Sequence, residues 1–143
     1  MPSALRLAFV LSCIASQGCT QTTPACSFTG PTVFPEMETA KAAFLTGDYQ
    51  GFFGLAAAQM PNTDGVALMA GITEAVPDGF ASCTTVVQRE DVGGLVQEIT
   101  LFQLPEGKGP ISVYVQSALI DGQRVILQFS FDTTFANVLE KLR

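Results

Sequence analysis

The chain reads as an α+β domain: N-terminal helices packed on a four-stranded antiparallel meander sheet, with a C-terminal closing helix. Three observations predict it. Apolar residues recur at threes and fours from Phe34 to about Val76. The period changes to alternation between Phe80 and Phe131, and the links between the alternating runs are short enough to join only antiparallel neighbours. A length of 143 residues suits one domain, and 48% hydrophobic residues exclude a disordered chain.

Phe34-Pro35-Glu36 opens the first helix. Proline suits a first turn because its missing N–H is not needed there, and Glu36 and Glu38 face the positive end of the helix dipole. Met37, Ala40 and Phe44 form the apolar stripe, and Gly47 supplies a left-handed stop. Asp48 caps a second helix with Phe52, Leu55, Ala56 and Met60 on one side, ended by Pro61. Gly51 and Gly54 on that helix imply close packing against a neighbour. Asn62-Thr63-Asp64 caps a weaker third helix to about Val76, which Pro77-Asp78-Gly79 stops.

Four strands follow, Phe80–Gln88, Val96–Leu104, Ile111–Ile120 and Gln123–Phe131. A two-residue Asp121-Gly122 turn would set the apolar residues of the last two strands on opposite faces, a slip that a half-buried sheet does not accept. A three-residue loop, Ile120-Asp121-Gly122, with Gly122 in a bulge, opposes Val113 to Phe129 and Val115 to Leu127. That register puts Tyr114, Arg124 and Ile126 together on the second, mixed face. Asp132 caps the last helix, which shows Phe135, Val138, Leu139 and Leu142 on one face.

Ahead of the domain, residues 1–18 have the order of an export signal: Arg6 in a short basic region, the apolar run Leu7 to Ala15, then small residues before Cys19. Ser16-Gln17-Gly18-Cys19 resembles the lipobox of bacterial lipoproteins, which implies a lipid anchor on Cys19; Val10-Leu11-Ser12-Cys13 is an alternative box, and ordinary cleavage would instead leave a soluble periplasmic protein. Residues 19–33 form a polar tether and residues 34–143 the single domain. With Cys13 lost in the signal and Cys19 acylated, Cys26 and Cys83 remain as an even pair, expected to bridge outside the cytosol. Loss of Arg6 takes the net charge from −6 to −7.

That acidity argues against nucleic-acid partners. The chain has no His, which removes serine and cysteine triads, HExxH zinc sites and imidazole haem ligands. Its serines lie outside a nucleophile elbow. Lys108 and Lys141 read as solvated surface, and Glu90-Asp91 as a strand end. Asn62 and Asp64 lack the later acids of a calcium loop, and Cys26 and Cys83 lack Cys-x-x-Cys spacing. No cofactor and no metal is expected.

Ala40 to Tyr49 (AKAAFLTGDY), leading into Phe52-Phe53, is similar to the opening of many small exported members of the cystatin-like and nuclear-transport-factor-two-like group. The resemblance implies helices leaning on a curved antiparallel sheet. The group includes enzymes and binding modules, and its pocket catalysts are commonly Asp and His, so without His the resemblance does not carry over an enzymatic role. The expected function is a non-catalytic envelope domain in the periplasm, attached to the membrane only through its lipid, with the outer membrane favoured. It would act as an interaction or ligand-binding module for an envelope protein or a small ligand. Tyr114 and Arg124 are the candidate ligand-binding side chains. The alternatives are an enzyme-like pocket using carboxylate, Tyr and Arg chemistry, and an inhibitor or immunity protein presenting Pro105–Pro110.

Overall fold

A computed structural model describes residues 23–28, 30, 32–56 and 64–142. The signal, Cys19, Met60, Pro61 and Asn62 lie outside the described residues. In chain order the elements are β1 (Ser27–Phe28), α1 (Pro35–Leu45), α2 (Tyr49–Ala56), α3 (Asp64–Ala75), β2 (Ser82–Asp91), β3 (Leu95–Gln103), β4 (Pro110–Ile120), β5 (Gln123–Asp132) and α4 (Phe135–Leu139). The architecture is α+β, as the change of period requires. The sheet order is β1-β2-β3-β4-β5, antiparallel except for β1, which runs parallel to β2.

β1 is a correction to the expected tether. Ser27 and Phe28 pair with Thr84 and Thr85, so the sheet has five strands and is mixed. The cause is local. Cys26 is disulfide-bonded to Cys83 with their Cα atoms 4.7 Å apart, which delivers the next two residues to the open edge of β2.

The last hairpin corrects the expected loop. Ile120 pairs directly with Gln123, and Asp121 and Gly122 have φ of 50° and 79°. Both central residues are left-handed, as a type I′ turn demands, and Asp-Gly is among its favoured pairs. The apolar faces are reconciled further along. Ser117 pairs with Ile126 but Gln116 with Gln128, so Leu127 is the extra residue of a bulge and Val113 and Val115 meet Phe131 and Phe129. One consequence is that Arg124 and Ile126 move to the face that carries the helices.

α1 and α2 cover that face. Phe44, fully buried, is the centre of an aromatic cluster, with the rings of Tyr49, Phe52, Phe80 and Phe102 at centroid distances of 4.8–5.4 Å. α2 is turned from the expected stripe: Phe53 is buried with Phe52 and Ala56, while Leu55 is exposed. Gly54 faces open space and does not mark a helix contact. Gly51 serves the cap, because a Cβ there would strike the Asp48 carboxylate. Asp48 Oδ1 accepts the Gly51 N–H at 2.9 Å, and Gly47 before it has φ of 79°. Asp48→Ala is expected to cost about 1 kcal/mol in urea unfolding. An unchanged midpoint would mean that the cap is redundant.

α4 lies against the opposite face, where Val138, Ile99 and Tyr114 form a second small core. Asp132 organises its start, accepting the Thr134 N–H and the Asn137 side-chain amide. The amide bond, then the backbone bonds, hold its carboxyl below the usual range. Phe135 and Leu139 of the expected stripe remain exposed.

Candidate functional site

Tyr114 and Arg124 do not converge. Tyr114 is buried beneath α4, where its hydroxyl accepts a 2.7 Å hydrogen bond from Gln97 Nε2. Burial raises its pKa, against a smaller lowering by Gln97. Arg124 stands on the helix side. Its Nη1 donates to Gly94 O and to Ser117 Oγ, each at 3.1 Å, and its guanidinium lies 4.2 Å from the centre of the Phe34 ring. Ser117 Oγ in turn donates to Met37 Sδ. Arg124 therefore clasps the chain entering α1 to the β2–β3 turn and to β4, a cation–π contact adding about 0.5–2 kcal/mol. The expectation that the two side chains share one face is overturned, and the sheet lies between them.

A charged cluster that the sequence did not disclose sits between α1 and the sheet. Glu38, Lys41 and Glu98 are all at least 96% buried. Lys41 Nζ contacts Glu38 Oε1, lies 3.0 Å from Glu98 Oε2 and donates to Thr85 Oγ1 at 3.1 Å. An ammonium only donates, so Thr85 accepts and passes its own hydrogen to Thr100 Oγ1 at 3.1 Å. Gln88 Nε2 bridges Thr32 O and Glu98 Oε1, both at 2.7 Å. Glu98 Oε2 receives the lysine's charge but no well-aimed hydrogen bond.

The segment stapled by Cys26 closes this cluster. The Ala25 N–H donates to Glu38 Oε2 at 2.8 Å, and the Phe28 ring centre lies 5.6 Å from Lys41 Nζ. Lys41 Nζ spends its contacts on the two carboxylates and the Thr85 hydroxyl, buried under this segment and facing no open space. The cluster locks α1 in register over β2 and β3, a use attested for buried ionic groups.

An open concavity among the described residues lies elsewhere, between the start of α2 and α3. This groove of about 620 Å³ has Val66, Met69 and Ala70 on one wall and carries the acids Asp48 and Glu74. Tyr49 lines it too, but its hydroxyl donates to Val76 O, and burial raises its pKa. Among the described residues no paired acid and base meets there, and no three His, Cys, Asp or Glu gather around a metal position. The Pro105–Pro110 loop presents an exposed Lys108–Glu106 pair. No family model, no curated protein and no solved structure matches the chain. Function has to be read from these side chains.

Proposed function

We propose that the chain is an exported, lipid-tethered interaction module without catalytic activity, acylated on Cys19. The observation that carries the reading is the Cys26–Cys83 bridge. Bridges of this kind form and persist outside the reducing cytosol, where the order of residues 1–18 would send the chain. Cys19 and Cys26 are seven positions apart, a reach of at most about 25 Å. The β1 edge of the sheet would therefore ride close to the bilayer, with the helical layer free to meet a partner. The helix–Gly47-Asp48-Tyr49–helix corner ahead of a meander supports membership of the cystatin-like and nuclear-transport-factor-two-like group.

Labelling with radioactive palmitate in a bacterial host tests the anchor. The expected result is a labelled protein in the membrane fraction, with Cys19→Ser unlabelled and released as soluble protein. A mature chain that retains Met1 and carries no acyl group would overturn the reading.

A further inference from the structure

We infer that the groove between α2 and α3 binds a basic, apolar-faced peptide segment of a partner protein. This rests on the interaction-module reading but not on its anchor. The wall of the groove is an unfinished helix face: Val66 is 66% exposed and Met69 only half-buried, while among the described side chains of α3 Ile72 alone is fully buried in the core. Such a face gains by meeting apolar residues.

The charge around it has one sign. Asp48 and Glu74 line the groove, and none of its described lining residues is a cation. Between Lys41 and Arg89 the sequence has no Lys or Arg, and Asp48, Asp64, Glu74 and Asp78 are its only charged residues. Lys41 itself is consumed by Glu38 and Glu98. The helical layer around the groove therefore repels acidic segments, and a neutral one would leave the carboxylates unused. Lys or Arg flanking apolar residues at helical spacing satisfies both wall and rim, the helix-in-groove mode of recognition.

Fluorescence anisotropy with a labelled Leu/Lys helical peptide tests this on the full chain carrying Cys19→Ser, so that no lipid or detergent competes. Saturable binding is expected, with a Leu/Glu peptide and a Ser/Lys peptide each weaker by about tenfold or more. Glu74→Gln and Ala70→Arg should weaken binding about fivefold or more, because each removes negative field from the groove, and Ala70→Arg also fills it. Glu90→Gln, on β2, changes net charge by the same single unit as Glu74→Gln and should shift affinity by no more than about twofold. Absence of saturable binding overturns the inference. So does an equal loss in Glu74→Gln and Glu90→Gln, which would reveal attraction to the acidic protein as a whole. Acyl labelling of Cys19 reports on the anchor separately.

Discussion

Replacing Lys41 by Met is expected to lower stability by about 3–5 kcal/mol, the cost of leaving buried charge uncompensated. Glu38 and Glu98 would keep their carboxylates under α1, with Ala25 N–H and Gln88 as remaining donors and no cation. Total stabilities of single domains run to about 5–15 kcal/mol, so this one substitution removes a large share. The ion cluster need not be strongly stabilising as a whole, because the desolvation of three charges opposes their attraction. A triple variant, Glu38→Leu with Lys41→Met and Glu98→Leu, should therefore recover most of the loss. Urea unfolding of the two variants decides the matter. A Lys41→Met cost below about 1 kcal/mol would mean that water enters the cluster and screens the carboxylates.

The same residues explain what was legible in the chain. The change of apolar period at Phe80, the Gly47 stop and the Asp48 cap are local signals, and each is found where its chemistry places it. Cysteine parity named the pair that bridges. The Glu38–Lys41 pair is different. At a spacing of three on a helix it looks like any solvated surface pair, and only the fold brings Glu98 of β3 to it.

Strand β3 hides its polar residues in a second way. Gln97, Glu98 and Thr100 are all buried because helices cover both faces, so alternation cannot sort inside from outside. The separation of Tyr114 from Arg124 turns on a single extra residue, Leu127. A bulge shifts the register by one without leaving a compositional trace, so apolar alignment could be met equally by a longer loop or by a bulge within the strand. The left-handed Asp121-Gly122 turn selected the bulge.

Removing the staple should have an effect of similar size and a second readout. The bridge closes a 57-residue separation, for which chain entropy implies about 4 kcal/mol of stabilisation. The double variant Cys26→Ser with Cys83→Ser is expected to lose about that much in denaturant unfolding without reductant. What remains of the β1 attachment is two residue pairs with β2, the Ala25–Glu38 hydrogen bond and the Phe28 ring near Lys41. Ordering a segment of this length costs about 1–2 kcal/mol per residue, more than those contacts return once the bridge is gone. The segment should therefore leave the sheet edge and uncover Lys41 while the rest of the domain stays folded. Pulsed acylation with an amine reagent, read by mass spectrometry, should find Lys41 protected in the bridged protein and reactive in the variant. The exposed Lys108 serves as the internal reference. Lost stability with Lys41 still protected would show that β1 holds by its own pairing, and the bridge would then act on the unfolded chain alone.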